Sequence, residues 1–354
     1  MVEDPEPPPR KRWHRWRRVL RGLAWTGVVL ASVLLVLVAA TWLWWLGDPP
    51  ADQHSRGVNA VWAGHRWVGQ AHSEQEYAEL VRHLDQAGIS DVFFHVGPLD
   101  AAGTVPPDRY AHARELLAAM HRLAPGVRVQ AYLGQVDRRG GGPLDLDDAQ
   151  VRQRIVQTAA GFLDLGFGGI HYDIEPIYPG DRSFLDLLAR THDLTQPRGA
   201  VLSVSMEQLE LVPGAQAVVS RLVRRYHDAT RPYLRAVAAR VDQLAIMTYD
   251  TGLPADWLYG WFTAWQTEQV VRLVGDRVTV FIGVPTYTQG QPLGFHPSAE
   301  NLRSGLRGVR KGLARMDPTA TRRVGVALFA EWTTSEDEWR ACRNEWVQPV
   351  SKGQ

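Results

Sequence analysis

The 354-residue sequence contains only one cysteine, Cys342. A single cysteine excludes an intrachain disulfide and any metal cluster built on several thiolates. A domain of this size needs no disulfide to hold its core, so the lack of cysteine is compatible with a location outside the cytoplasm. We expect Cys342 to be an inert, partly buried thiol.

An excess of charge of one sign is also missing, because 39 Lys and Arg residues stand against 38 Asp and Glu residues. The net charge of +1 is the sum of +4 in residues 1–21 and −3 in the remainder. A folded domain that binds nucleic acid carries a basic face, whereas here only the tail is basic. We therefore predict no nucleic-acid partner.

Charged residues are absent altogether from residues 22–46. This apolar stretch can cross a hydrocarbon layer of about 30 Å, and it is longer than the apolar region of about 7–15 residues in a cleaved signal peptide. Basic residues precede it, and its last part holds tryptophans suited to a membrane interface, Trp42, Trp44 and Trp45. Because basic flanks stay in the cytoplasm, we predict one uncleaved transmembrane helix with the rest of the chain outside.

The rest of the chain alternates short apolar runs with helical patterns, eight times over. The runs are continuously apolar, as is typical of parallel strands buried on both faces. Helix signals lie between them, such as a capping box at Ser73 and Glu76, and a helix begun by Asp147 or Asp148 and ended by Gly166. The predicted strands are Val58–Ala63, Asp91–Val96, Val127–Leu133, Gly169–Glu175, Val201–Met206, Gln243–Tyr249, Val278–Pro285 and Val324–Ala330.

This pattern predicts the α/β class and a (β/α)8 TIM barrel preceded by one transmembrane helix. A doubly wound sheet usually has a glycine-rich phosphate loop after its first strand, and this sequence has none there. The segment 207–240 is longer than one helix needs, so we expect an insertion over the barrel mouth. The predicted domains are a cytoplasmic basic tail at 1–21, the anchor at 22–46, a linker at 47–56 and the barrel at 57–354.

The fourth predicted strand carries three ionisable residues on one face, His171, Asp173 and Glu175, because side chains alternate along a strand. Apolar residues occupy the other face, so the three polar side chains should point into the barrel. The active sites of such barrels lie at the carboxyl ends of the strands. A carboxylate pair in an apolar cavity raises one pKa, which suits a general acid near neutral pH.

This strand resembles the Asp-Gly-x-Asp-x-Asp-x-Glu motif of glycoside hydrolase family 18, the chitinases and related endo-N-acetylglucosaminidases. Glu175, Asp173 and Gly169 match the motif, whereas Gly168 and His171 stand where the family has its first two acids. Residues 244–250 resemble the sixth-strand Met-x-Tyr-Asp of the family, and residues 283–287 its seventh-strand Gly-x-Pro-x-Tyr. The similarity covers residues 57–345, although Phe329 falls where the family has a floor tryptophan.

The resemblance implies a role for each matching residue. Glu175 would protonate the leaving oxygen, and Asp173 would orient the acetamido group of the substrate as it attacks the anomeric carbon. Tyr249 would hydrogen-bond that group, and Met247 would line the pocket. The remaining candidate substrate-binding residues are Asp250, His171, Trp332 and Trp62. The scheme needs no cofactor and no metal.

The sequence therefore predicts a membrane-anchored extracytoplasmic glycosidase that hydrolyses N-acetylhexosamine-containing glycans with acetamido assistance. One alternative is an inverting two-carboxylate glycosidase in which Glu207 or Glu331 is the second carboxylate. A metal-dependent hydrolase would use His95, His171 and Asp173. A third alternative, from a different class, is a catalytically silent barrel that binds envelope glycans.

Overall fold

The computed structural model describes residues 11–211, 228–288 and 295–348. The chain divides into two compact units, Met1–Asp48 and Pro49–Gln354. The first unit contains helix α1 (Lys11–Leu46), in which the segment Leu20–Leu46 is long and apolar enough to cross a membrane. The predicted apolar helix is thus present, while residues 1–10 of the predicted tail lie outside the described residues.

The second unit is a closed barrel of eight parallel strands in sequence order. Pairing of Ala60 with Ala327 and of Val61 with Leu328 joins the first strand to the last and closes the barrel. The predicted (β/α)8 fold is therefore confirmed. The strands are β1 (Ala60–Ala63), β2 (Asp91–Pro98), β3 (Arg128–Val136), β4 (Gly169–Glu175), β5 (Val201–Glu207), β6 (Gln243–Met247), β7 (Thr279–Pro285) and β8 (Val324–Phe329).

Helices follow every strand among the described residues. Their ends carry the predicted signals: Ser73 and Glu76 form a capping box, Asp148 caps a helix by accepting the Gln150 N–H, and Gly166 ends that helix in a left-handed conformation. The helices are α2 (Arg66–Gly69), α3 (Glu74–Gln86), α4 (Ala113–Leu123), α5 (Ala149–Leu165), α6 (Arg182–Thr195), α7 (Arg231–Ala238), α8 (Asp256–Val274), α9 (Leu302–Leu313) and α10 (Glu336–Cys342).

Alternation along the strands separates the core into two apolar layers. Outward-facing residues such as Ile170, Tyr172 and Ile174 belong to a large cluster between the strands and the helices. A smaller cluster fills the barrel interior and includes Ala60, Trp62, Phe93, Ala245, Phe281 and Ala327. Because β4 sends its apolar residues outward, its polar residues lie on the inner face.

The amino-terminal end of the barrel is sealed by a buried polar network. Asp91 Oδ1 accepts hydrogen bonds from Gln130 Nε2 at 2.9 Å, Gln243 Nε2 at 3.0 Å and Arg128 at 2.8 Å. The amino-terminal end of a TIM barrel usually contributes to stability, and the functional residues lie at the carboxyl ends of the strands.

The segment between β5 and β6 is only partly described. Leu209 pairs with Ala229 in an isolated bridge close to the end of β5, and α7 follows. The middle of the expected insertion, residues 212–227, lies outside the described residues. The insertion over the mouth therefore stays a prediction.

Candidate active site

A cavity of about 520 Å³ opens at the carboxyl ends of β4, β5 and β6. It is the place where a TIM barrel carries its functional residues. Five carboxyl groups line it together with an amide, a thioether and two aromatic rings. The lining residues are Asp173, Glu175, Glu207, Gln208, Asp228, Met247, Tyr249, Asp250, Thr251 and Phe329.

Asp173 and Glu175 form a coupled acid pair in this cavity. Burial raises the pKa of Glu175 well above its usual range, and the negative charges of Asp173 and then Glu207 raise it further. Burial also raises the pKa of Asp173, but hydrogen bonds from Tyr132 and Ser205 act in the opposite direction. Glu175 is therefore the member that holds the proton, as a general acid requires.

The carboxylate of Asp173 is held from one side. Its Oδ2 accepts a hydrogen bond from the Tyr132 hydroxyl at 2.5 Å. Its Oδ1 is buried and has no hydrogen-bond partner among the described residues. A buried oxygen without a donor is costly, so the site is ready to accept a hydrogen bond from a ligand.

His171 lies deeper than the acid pair and does not contact the cavity. It is fully buried, stacks on Phe93 at 3.8 Å between ring centroids, and shares hydrogen bonds with Ser203, Ser205 and Trp62. Burial lowers its pKa well below the usual value, so the ring is neutral. The expectation that His171 binds substrate needs correction, because the ring has no exposed surface.

Trp62 is also placed differently from the expectation. Its side chain is 1% exposed and belongs to the interior cluster, where its indole N–H donates to His171 Nε2 at 3.1 Å. A ring packed on all sides cannot stack on a sugar. Trp62 supports the floor of the site instead of binding substrate.

Three expected binding residues at and just after the end of β6 do line the cavity: Met247, Tyr249 and Asp250. The ring of Tyr249 stacks on Phe329 at 5.0 Å between centroids. Asp250 has a φ of 58°, and its Oδ1 accepts a hydrogen bond from the Tyr287 hydroxyl at 2.7 Å. Tyr287 belongs to the segment 283–287 at the end of β7, so this segment and the segment 244–250 meet at the mouth of the barrel.

Phe329 and Trp332 extend the site towards β1 and β2. Phe329 lines the acidic cavity and also a second cavity of about 480 Å³, of which Trp332 is another wall. Trp332 is 50% exposed and is therefore accessible to a ligand. The second cavity is completed by Gly64, His65, Arg66, His95 and Tyr132.

Comparison with known proteins gives structures but no sequence relatives. No protein-family model matches the chain, and no curated protein matches it significantly. A chitinase from Chromobacterium violaceum is 18% identical with a TM-score of 0.53, and the match covers 82% of this chain and 99% of that chain. A class V chitinase from Pseudomonas fluorescens is 13% identical with a TM-score of 0.55 and coverages of 82% and 99%.

A spore cortex-lytic enzyme from Bacillus megaterium is 11% identical with a TM-score of 0.51, and the match covers 84% of this chain and 76% of that chain. This chain has the fold of these enzymes. At such identities the likeness concerns the fold, so the chemistry of this chain has to be argued from its own site.

Several residues in or beside the cavity were not predicted from the sequence as site residues. Tyr132 is the inward residue of β3 beside the acid pair, and Ser205 reaches it from β5. The alternation of side chains along a strand places them on the inner face, as it does Asp173. A tyrosine or a serine on that face does not by itself indicate an active site. Glu207 is predicted only as the second carboxylate of an inverting scheme, and the structure places it in the cavity wall.

Of the residues in the alternative schemes, Glu207 shares the cavity of Glu175, whereas Glu331 and His95 lie outside it. Glu331 is held by Arg66 at 3.2 Å and by the Gly64 N–H at 3.3 Å, away from the acidic cavity. His95 lines the second cavity, where burial lowers its pKa to about 4. Among the described residues, three side chains of metal-ligating type lie close together: Glu79, His83 and Glu336, at the surface.

Proposed function

We propose that this chain is a membrane-anchored extracytoplasmic glycosidase that hydrolyses glycans containing N-acetylhexosamine, with the acetamido group of the substrate as nucleophile. The observation that carries the proposal is the Asp173–Glu175 pair in the mouth cavity, where burial and neighbouring charge keep Glu175 protonated. Glu175 then has a proton to give at neutral pH, and Asp173 has a free oxygen to accept a hydrogen bond.

In the first step Glu175 gives its proton to the glycosidic oxygen as the bond from that oxygen to the anomeric carbon breaks. The carbonyl oxygen of the acetamido group forms a bond to the same carbon, giving a cyclic cation. The amide N–H of that group becomes positive in character, and it fits the unpartnered Oδ1 of Asp173. The Tyr249 hydroxyl, in the same cavity wall, is positioned to donate to the acetamido oxygen.

In the second step a water molecule attacks the anomeric carbon, and the bond from that carbon to the acetamido oxygen breaks, which opens the cyclic cation. Glu175, now ionised, takes the proton of that water and returns to its starting state. One carboxyl group thus acts as acid and then as base, while Asp173 stabilises the intermediate charge. The scheme uses residues of β4 and of the segment that follows β6.

The replacement of the usual acid by His171 is compatible with this scheme. A neutral His171 does not supply a charge beneath Asp173, and hydrogen bonds from Tyr132 and Ser205 favour the ionised form of Asp173 instead. Aromatic surface for a sugar ring is available at Phe329 and Trp332. The anchor proposed here is the segment Leu20–Leu46, with the basic tail in the cytoplasm.

The decisive experiment compares the wild type with Glu175→Gln on N-acetylglucosamine oligomers. The amide keeps the volume of the side chain but has no proton to transfer, so we expect turnover to fall by about 10²–10⁴-fold while glycan binding persists. Loss of a buried acid should not lower the melting temperature. Glu331→Gln is the matched control, because Glu331 is also at the mouth but is paired with Arg66.

The three measurements separate the alternatives. A wild type that binds oligomers but does not hydrolyse them would identify a silent glycan-binding barrel. A joint loss of stability and activity in Glu175→Gln would indicate a structural carboxylate. Unchanged turnover in a well-folded Glu175→Gln protein would end the proposal.

A further inference from the structure

Glu207 lies level with Glu175 on the neighbouring strand. The last register pair of β4 and β5 is Tyr172 with Val204, and three further residues along each strand lead to Glu175 and Glu207. Ser203 and Ser205 of β5 contact His171 inside the barrel, so Glu207 shares their inward face. The backbones of adjacent strands are about 4.8 Å apart, which places both carboxyl groups at the same depth of the cavity.

The carboxyl group of Glu207 has no hydrogen-bond or ion-pair partner in the described part of the chain. Burial, together with the negative charges of Asp228, Asp173 and Asp250, raises its pKa to about 7. Glu331, the carboxylate at the end of β8, is by contrast satisfied by Arg66 and by a backbone N–H. Glu207 is half-buried and its carboxyl group faces the open cavity, so a ligand that enters the cavity can bind it directly.

The sign of the cavity charge limits what that ligand can be. Among the described residues that line the acidic cavity there are five carboxyl groups and no Lys, Arg or His. The basic residues of the mouth, Arg66, His65 and His95, belong to the second cavity beyond Phe329. A cleft lined by one sign of charge attracts the opposite sign and repels its own.

We propose that Glu207 binds a free amino group of a sugar next to the bond that Glu175 cleaves, so that the substrate class is a partly de-N-acetylated amino-sugar glycan. This inference rests on the proposed function for the position of cleavage. An ammonium group brings three donors and a positive charge to the unpartnered carboxylate, whereas a hydroxyl group brings one donor and no charge. The neutral acetamide remains necessary only on the sugar beside Asp173.

The same geometry disfavours anionic glycans. A substrate carrying carboxylates or phosphates would place like charges beside Glu207 and Asp250 with no described cation of the cavity wall to balance them. The acidic cavity therefore selects by charge, and the second cavity offers aromatic surface for neutral sugar rings.

The test measures binding by titration calorimetry in the Glu175→Gln background, which removes hydrolysis from the readout. The probes are two chitin oligomers of equal length, one fully N-acetylated and one partly de-N-acetylated. We expect the partly de-N-acetylated oligomer to bind about tenfold more tightly or better, because a charge-assisted hydrogen bond contributes at that level. Added Glu207→Gln should abolish this preference, and added Glu331→Gln should leave it intact.

A second measurement keeps the proposal testable if the Glu207→Gln protein does not fold. In the Glu175→Gln protein the preference should be greatest at intermediate pH. It should shrink at lower pH, where protonation removes the charge of Glu207, and shrink again at higher pH, where the sugar amine loses its proton. Affinity for the N-acetylated oligomer should stay constant over this range. High salt should also reduce the preference, because it screens the attraction.

Two results would overturn the inference: equal affinity for the two oligomers, or a preference that survives Glu207→Gln. Both are independent of the proposed hydrolysis. A wild type without hydrolytic activity that still prefers the amine-bearing oligomer contradicts only the proposed function. A hydrolytic wild type without that preference contradicts only the role of Glu207.

Discussion

At the residue scale, the hydrogen bonds of His171 determine where its proton is. The indole N–H of Trp62 can only donate, so His171 Nε2 must accept and is unprotonated. The ring proton is then on Nδ1, which faces the Ser203 hydroxyl. His171 is therefore a neutral spacer beneath Asp173. The single proton of the Ser205 hydroxyl goes either to His171 Nε2 or to Asp173, so Tyr132 is the neighbour that donates to Asp173 alone.

This hydrogen bond predicts the effect of Tyr132→Phe. The Tyr132 hydroxyl donates to Asp173 and favours its ionised form, so removal of the hydroxyl raises the pKa of Asp173. If ionised Asp173 is needed, the acidic limb of the kcat profile should move to higher pH by about one unit. The limb belongs to the coupled pair, so the measurement is the whole pH profile of kcat.

The matched control for this prediction is Tyr172→Phe. Tyr172 is the neighbouring buried tyrosine of β4, but its hydroxyl bonds Thr191 of α6 at 2.9 Å on the outer face of the barrel. Its loss should lower the free energy of unfolding by about 1 kcal/mol and leave the pH profile unchanged. A Tyr132→Phe protein whose pH profile matches the wild type would remove Tyr132 from the site.

The residues that the sequence could predict were those with distinctive chemistry at a fixed spacing. Asp173 and Glu175 differ from the apolar residues around them, and their alternation with Ile174 gave their direction. Tyr132 and Ser205 could not be found this way, because an inward Tyr or Ser is common in any strand. His171 and Trp62 were misjudged, because depth along the barrel axis depends on the register between strands, and one sequence does not specify it.

At the scale of elements, the sequence predicted all eight strands, with ends that differ by a few residues. β3 runs on to Val136, three residues beyond its apolar run, because Gln135 and Val136 still pair with Ile174 and Glu175. β6 ends two residues early at Met247, and Asp250 then turns with a φ of 58°. Pairing partners and turns set these ends, and the apolar pattern contains neither.

Two helix glycines should respond to substitution in opposite directions. Gly308 of α9 packs against α8, where an added Cβ would lie 2.6 Å from the Gly260 carbonyl oxygen and 2.9 Å from Thr263 Cβ. Gly308→Ala should therefore destabilise the barrel by about 1–3 kcal/mol. Gly161 of α5 has nothing within 4 Å of such an atom, so Gly161→Ala should stabilise by about 0.5–1 kcal/mol.

Urea unfolding of the detergent-solubilised chain, followed by tryptophan fluorescence, measures both changes. Because the two substitutions are chemically identical, their difference reports only the space around each glycine. A stabilised Gly308→Ala protein would mean that α8 and α9 are further apart than the structure has them.

At the scale of the whole molecule, the sequence predicted one long apolar helix and one barrel, and both are present. Such features depend on length and period over many residues, so they survive local irregularities. Whether the apolar helix is a membrane anchor or a cleaved signal sequence does not follow from length and period. Length and composition are shared by anchors and by signal sequences, and the flanking charges alone argue for an anchor with the barrel outside.

That orientation is tested by fusing alkaline phosphatase to the carboxyl terminus in a bacterial host. The phosphatase is active only after export, so we expect an active fusion from the full chain and an inactive one when residues 22–46 are deleted. The full-length fusion should remain in the membrane fraction with its amino terminus intact. A released product that begins near Asp48 would identify a cleaved signal sequence. An inactive fusion of the full chain would place the barrel in the cytoplasm, where an envelope glycan could not reach Glu175.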